Sequence, residues 1–583
     1  MFGNSFNMDR IIFLLIVLLS SGMKGQNDFL HAKNKQILDS SDEPVILRGI
    51  GLGGHMLQEG YMLKVPFSGQ QHVFRNHVEE LIGEEKTQQF YDKWLQNFTQ
   101  KADIDSLKAW GFNSVRLPMH YNLYTSPVER EVEKGKNTWL EKGFAMTDSL
   151  VSWCKANDMY LILDMHATPG GQGHDVNISD RDTSKPSLWE SKENQDKLVA
   201  LWKKLADRYK DEPTIGAYDM INEPNWSFEE GININGIEDS KNEPLKDLMI
   251  KITKAIREVD NNHIIIIEGN GWGNNYSGVL PPWDDNMVLS FHKYWNNNNQ
   301  ESIQKFIDFR DQYNIPIWLG ESGENSNVWF ADAISLMERN DIGWCWWPLK
   351  KIGFNNPLEI KMNPGYENIL NYWKGEAEKP SEDEAFEAMM QLAENTKIQN
   401  NIIHYEVIDA MIRQPHSDEI KPYKQTSISS ETEIPAVHFD MGKNGIAYKD
   451  EVVGNYYIST GGDRTAWNNG RTFRNEGVDI FSKEGDVYIG DTENSEWLQY
   501  TFNATESSDY TVLLQVSANH SEGTGEIQLN DSQNVKFSVP KSDSWTWVEI
   551  PNLSLEKGEN QLKVLIDKGG FNFKTIRFQK NKS

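Results

Sequence analysis

The chain has 583 residues and only two cysteines, Cys154 and Cys345. One disulfide cannot frame a protein of this length, and no cluster of Cys and His stands at metal-ligand spacing. Both read as buried thiols, and a structural zinc is excluded. Basic residues are also short, with 58 Lys and Arg against 86 Asp and Glu and a formal charge of -28. Nucleic acid as a partner needs the opposite balance. Long apolar runs are missing as well. The strongest, residues 11–19, holds nine residues, follows Arg10 and precedes Ser20, Ser21, Gly22 and Gly25. That is too short to span a bilayer and has the order of a signal peptide. The expectation is a signal peptide over 1–25 and a secreted protein, extracellular or periplasmic, free of the membrane after cleavage.

What is present fits a soluble protein of two domains, one of them large: 38% of residues are hydrophobic and 25% charged. The apolar run 215–221 stops at Asn222-Glu223-Pro224, where proline ends the ladder and a loop must open. Seven similar runs lie at 44–51, 112–117, 160–166, 263–268, 287–292, 317–321 and 343–347. Helical patterns separate most of them, at 103–110, 147–157, 195–209, 245–260, 303–313 and 331–339. The alternation predicts an α/β fold, a closed (β/α)8 TIM barrel, and branched residues without clean alternation predict strands buried on both faces. Residues 57–101 read as an insertion over the barrel mouth with a helix. The Gly-rich loop 167–175 leads into no helix with Lys-Ser/Thr, so it is no phosphate cradle.

Two further helices are expected at 381–396 and 401–413. Residues 416–435 then turn polar, with Ser, Thr and two prolines, and read as a linker. Beyond it, short aromatic and β-branched runs such as 497–503, 510–517 and 561–566 recur between turns, the spacing of an all-β sandwich. The expected domains are a barrel over 27–415, a linker over 416–435 and a sandwich over 436–580.

Laying the strand ends side by side brings together Arg116, His120, His166, Asn222, Glu223, His292, Tyr294, Glu321 and Trp347. A lone histidine at a strand end is usually structural; nine such groups at successive carboxyl ends of one barrel form a site. Glutamates at the fourth and seventh strands are the pair that glycosidic bond cleavage requires. One protonates the leaving oxygen, and the other attacks the sugar carbon. The 20 Trp and 20 Tyr add surfaces on which sugar rings stack.

The motifs VRLP (115–118), LDMH (163–166), NEP (222–224), FHKYW (291–295), LGES (319–322) and GWCWWPLK (343–350) stand in this order. With them residues 44–350 resemble glycoside hydrolase family 5. The resemblance implies Glu223 as general acid/base, Glu321 as nucleophile, and retention of configuration. It implies Asn222 at the sugar 2-OH, and Arg116 and Tyr294 aligning Glu321. His166 and His292 would line the −1 subsite and Trp347 would form its floor, with Trp346 as the rival. No cofactor is implied in the catalytic site. The loop HATPGGQ (166–172) is similar to the corresponding loop of the family's β-1,3-glucanases, which favours a β-glucan over a mannan. The insertion would favour action at chain ends.

Residues 436–578 carry FRNEGVDI (473–480), GDTENSEWLQYTFN (490–503), SWTWVEI (544–550) and GFNFKTIRF (570–578). They resemble carbohydrate-binding module family 6, a jelly-roll sandwich. The resemblance implies that Phe473 and Trp545 clamp a sugar and that Asn572 bonds it, with Trp547 in the core. Val437 stands where that family places a calcium-binding glutamate, which leaves a structural calcium doubtful. The expected partner is a polysaccharide, and the expected state a monomer. A non-catalytic polysaccharide-binding protein is the competing reading, and the presence of both glutamates weighs against it.

Overall fold

Strands of branched residues with both faces covered can satisfy their backbones only by pairing with one another. The computed structural model, which describes residues 29–229 and 233–581, closes eight of them into a ring. They are β1 (Arg48–Gly51), β2 (Ser114–His120), β3 (Tyr160–Ala167), β4 (Ile215–Asp219), β5 (Ile264–Ile267), β6 (Met287–Lys293), β7 (Ile317–Gly323) and β8 (Gly343–Trp347). Every neighbouring pair is parallel, and β8 closes on β1 with Cys345 opposite Gly49. Each of the eight expected strands is found. The expected signal peptide at 1–25 lies outside the described residues. Among the described residues no helix is long and apolar enough to cross a membrane.

The insertion is a helical layer rather than a loop with one helix. Its main element is α1 (Gln71–Phe98), kinked where Gly83 takes φ 75°, a left-handed conformation open to glycine at little cost. After α1 come the barrel helices α2 (Lys101–Trp110), α3 (Glu141–Ala156), α4 (Lys192–Tyr209), α5 (Glu243–Arg257), α6 (Glu301–Tyr313) and α7 (Asn327–Arg339). Beyond β8, α8 (Pro364–Lys374) and α9 (Glu382–Asn395) pack on α1. Phe74, Val78, Phe90 and Trp94 of α1 meet Tyr366, Ile369, Met389 and Leu392 in a core of their own. Helix α8 is absent from the sequence reading, although Asn363 caps its start, Pro364 opens it and Gly375 ends it in the left-handed region.

The C-terminal part holds two sheets around a second core, and here the expected linker is corrected. Residues 427–428 pair with the strand Trp497–Ala504, and β9 (Glu431–Pro435) runs antiparallel to the last strand, Asn572–Lys580. The polar composition hid an edge strand in which Ile434, 4% exposed, enters the core while its neighbours face solvent.

The sandwich is also bonded to the barrel beside the catalytic face. Asn325, Ser326 and Asn327 follow β7 and are buried. Asn325 Nδ2 donates to Asn455 O at 2.8 Å, Asn475 Nδ2 donates to Asn325 O at 2.9 Å, and Asn327 N donates to Asn475 O at 2.9 Å. Ser326 Oγ donates to Val453 O. After β6, Trp295 packs against Tyr457 with ring centroids 5.5 Å apart, under the Arg464 guanidinium at 4.7 Å. The module is held to the barrel by backbone and amide bonds.

Candidate active site

The carboxyl ends of β2 to β7 point polar groups at one buried cation. Arg116, in the middle of β2, is fully buried and can be kept there only with anionic partners. Its Nη1 donates to Glu321 Oε2 at 3.0 Å and lies 3.2 Å from Asp164 Oδ2. Nε and Nη2 donate to Asp219 Oδ2 at 3.0 and 2.8 Å, and Nη2 reaches Asn222 Oδ1 at 2.8 Å and Glu268 Oε1 at 3.2 Å. Four carboxylates thus crowd one guanidinium. Burial and the neighbouring anions push Asp164 and Asp219 well above the usual carboxylate range, so the cluster retains protons.

Glu223 follows β4 by four residues and takes φ 43°, uncommon outside glycine. Its N–H donates to Glu268 Oε2 at 2.7 Å, which anchors that backbone. Its Oε1 lies 2.7 Å from His292 Nδ1, and His292 Nε2 lies 3.2 Å from Glu268. Burial opposes a charge on His292, but Glu268, Glu321 and the bond to Glu223 outweigh it and raise the imidazole well above its ordinary value. Burial, helped by Glu321 and Glu268 and opposed by His292, pushes Glu223 up to about 7. It therefore titrates near neutrality and retains a substantial protonated fraction there, which a general acid needs.

Glu321, in β7, has donors on both oxygens: Arg116 at 3.0 Å on Oε2 and the Tyr294 hydroxyl at 2.8 Å on Oε1. One carboxylate oxygen of Glu321, one of Glu223 and a ring nitrogen of His292 all lie within 4.8 Å of one another. That closeness is in keeping with double displacement, for which carboxyl groups stand about 5–5.5 Å apart, against about 6.5–9.5 Å for inversion.

The remaining expected residues fall into place around this pair. Burial holds His166 down at about 3, so it is neutral. Its Nδ1 donates to Asp164 at 2.7 Å, which leaves Nε2 to accept from Asn222 Nδ2 at 3.3 Å. Trp347 stacks parallel to His166 at 5.1 Å and donates from Nε1 to the Tyr61 hydroxyl at 2.9 Å. It lies flat on the end of β1 because residues 51 and 53 are glycines, where a Cβ would come 2.6 and 2.7 Å from the ring. Trp346 points the other way, into the core against Trp329 and Phe330, and the floor of the site is Trp347. His120 stands aside: Nε2 meets Asp180 at 3.0 Å and Nδ1 accepts from Asn122 N at 3.2 Å, so neither nitrogen is free for a sugar.

Sequence reading missed Asp164, Asp219 and Glu268, each an acid at the inner end of an apolar strand, and that placement was the available signal. It also missed Glu59 and Tyr61, which the insertion brings to the mouth. In the sandwich, Asn572 donates to Ser517 Oγ at 3.0 Å, and Trp545 meets Tyr488 edge-on at 5.3 Å. Phe473 is stacked on His438 at 5.9 Å and leans on Tyr423 at 5.8 Å, with one face already occupied. Trp547 is half-buried beneath Arg577 at 4.1 Å instead of sitting in the core. Val437 is buried and offers no ligand side chain.

Residues 75–352 match the family model Cellulase (glycosyl hydrolase family 5). The barrel matches family 5. Enzymes of family 5 are O-glycosyl hydrolases that act without a cofactor in the catalytic site, and this chain is one of the glucanase type. It is 26% identical over 382 residues to a β-xylosidase of Phanerodontia chrysosporium, covering 59% of this chain and 75% of that protein. It is 25% identical over 329 residues to endoglucanase C of Acetivibrio thermocellus, covering 46% and 88%. A probable glucan 1,3-β-glucosidase A of Aspergillus clavatus is 24% identical over 252 residues, covering 43% and 55%. Glu223 and Glu321 both lie within the matched residues.

Proposed function

We propose that this family 5 enzyme is an exported, monomeric, retaining β-glycosidase that cleaves a β-glucan. Glu321 attacks the anomeric carbon while Glu223 protonates the leaving oxygen. Glu223 then takes a proton from the water that releases the glycosyl-enzyme. One observation carries the reading: a glutamate that titrates near neutrality and a doubly hydrogen-bonded carboxylate face each other, one oxygen of each within 4.8 Å. Asn222, held by Arg116 and His166, is positioned for the 2-OH, and Trp347 for the apolar face of the ring.

The endoglucanase and glucan-glucosidase names among the relatives support a β-glucan. A relative aligned over 59% of the chain is named a β-xylosidase, which favours a β-xyloside as the second reading. The sandwich adds a sugar-binding face in which Trp545 and Asn572, with Tyr488 beside them, hold the polysaccharide. A panel of laminarin, lichenan, cellulose derivatives, xylan and mannan identifies the substrate. NMR of the first-formed product should show the β-anomer, and Glu223→Ala with azide should yield a β-glycosyl azide. An α product in either experiment refutes the mechanism.

A further inference from the structure

Glu321 and Tyr294 come from neighbouring strands of the barrel, and the C-terminal sandwich holds the chain just beyond each of them. Four residues after Glu321, Asn325 exchanges two bonds with Asn455. Its Nδ2 donates to Asn455 O at 2.8 Å, and its Oδ1 accepts from Asn455 N at 3.0 Å. Gly454 permits this approach, since a Cβ there would come 2.9 Å from Ser326 Oγ and 3.1 Å from Asn325 Oδ1. Tyr294 follows β6 directly, and the sandwich grips the residue after it. Ile458 N donates to Trp295 O at 3.1 Å, and Asn297 N donates to Ser459 Oγ at 2.8 Å. The Trp295 and Tyr457 ring centroids are 5.5 Å apart. The Arg464 guanidinium covers both rings, at 4.7 and 4.9 Å, and its Nη2 donates to the Tyr457 hydroxyl at 3.1 Å.

Trp295 needs a hold of this kind. It takes φ 50°, in the left-handed region that is costly for a residue with a bulky side chain. Such a conformation persists only where its surroundings over-determine it. On the barrel side the indole Nε1 donates to Glu324 O at 3.2 Å, and the ring lies 5.4 Å from that of Tyr294. Lys293, buried at the end of β6, closes the loop on itself: its ammonium donates to Asn297 O at 2.9 Å and to Asn298 Oδ1 at 2.8 Å. The outer edge of that loop is set by the sandwich. Because the Tyr294 hydroxyl donates to Glu321 Oε1 at 2.8 Å, whatever fixes Trp295 also fixes a donor on the nucleophile.

We propose that residues 454–464 of the sandwich belong to the catalytic framework. Tyr457 and Arg464 are positioning residues that clamp Trp295 and so keep the Tyr294 hydroxyl on Glu321. The sandwich then governs turnover even of substrates too short to reach its sugar-binding face. The inference rests on the reading of Glu321 as nucleophile.

Trp295 and Tyr457 are half-buried, Arg464 is exposed, and none of the three belongs to either core. The clamp can therefore be cut without unfolding a domain. The test uses the full chain and an aryl β-glycoside of the sugar found by the polysaccharide panel. A displacement of about 1 Å at a catalytic group costs up to about a hundredfold, so Tyr457→Ala with Arg464→Ala should lower kcat about tenfold and leave KM within about twofold. Tyr457→Phe keeps the ring and should retain kcat within about twofold. In a Tyr294→Phe background the two alanine substitutions should cost less than about twofold, because their route to Glu321 is already gone. An unchanged kcat, a loss carried by KM alone, or the full loss repeated in the Tyr294→Phe background overturns the proposal. Hydrogen exchange reads the clamp apart from the chemistry. Residues 291–298 should exchange faster when both alanine substitutions are present. That result stands even if labelling by a 2-deoxy-2-fluoro glycoside places the covalent bond on a residue other than Glu321. Unchanged exchange over 291–298 overturns the clamp itself.

Discussion

Among the described residues two arginines are wholly buried, one in each core, and they are solvated in different ways. Arg474 of the sandwich faces one carboxylate, Glu476, with Nε and Nη2 at 3.0 and 3.1 Å. Its other protons go to the carbonyls of Val437, Phe439 and Asp440, and its plane lies 3.6 Å from the Phe439 ring centroid. One carboxylate is bonded to this guanidinium, carbonyls fill the rest, and buried Glu406 acts on the pair only from farther off. Arg116 of the barrel faces Asp164, Asp219, Glu268 and Glu321 at once. A bonded pair of this kind serves structure: burial raises the Glu476 carboxyl and the Arg474 guanidinium opposes it. An overfilled cluster keeps mobile protons and one carboxylate to spare, and that surplus is what displacement at a sugar carbon uses.

The largest effect that could break this contrast is expected at Arg116. Arg116→Met should lower kcat at least about 10³-fold, because it removes a donor from the nucleophile and frees the anions around Glu223. It should also cost about 3–5 kcal/mol of stability through uncompensated buried charge. Activity within tenfold of wild type, measured on an aryl glycoside, would erase the distinction between the two sites. Next comes Arg474→Met, with a similar loss of about 3–5 kcal/mol in chemical denaturation because Glu476 loses the cation bonded to it. Turnover per folded molecule should remain within about threefold. Adding Glu476→Leu should recover much of the stability, since apolar replacement of a whole buried pair is tolerated. No single carboxylate change can do this for Arg116.

The smallest effect sharpens the comparison through pH. Glu223 must be protonated to act as the acid, so kcat/KM should fall as pH rises through about 7. His292 stabilises the ionised form of Glu223. His292→Gln should therefore move that basic limb upward by roughly one pH unit, along with a loss of rate. An unmoved limb would mean that His292 does not tune the acid.

Much of this site could be read from the chain, and the residues that could not share a reason. Eight apolar runs and the sequence Asn222-Glu223-Pro224 announce a barrel with acids at its strand ends, because burial pattern and proline chemistry are local properties. Asp164 and Asp219 stand inside such runs and pass for ordinary strand residues. Only ring closure, which puts β2 beside β3 and carries β4 and β5 around to the same guanidinium, turns them into partners of Arg116. The linker reading failed in a similar way: Thr432 and Ile434 alternate as an edge strand would, but the pairing partner lies 140 residues downstream. The asparagines that hold the module to the barrel carry no local mark, since asparagine is common in any loop.

By itself the sequence determined the barrel architecture and the placing of two glutamates at the ends of its fourth and seventh strands. Periodicity, proline and glycine act over a few residues, and the chain displays them directly. The tertiary structure alone decided which of two adjacent tryptophans floors the site and that Glu223 titrates near neutrality. Those properties come from desolvation and charge summed over groups distant in sequence, and such sums exist only once the ring has closed.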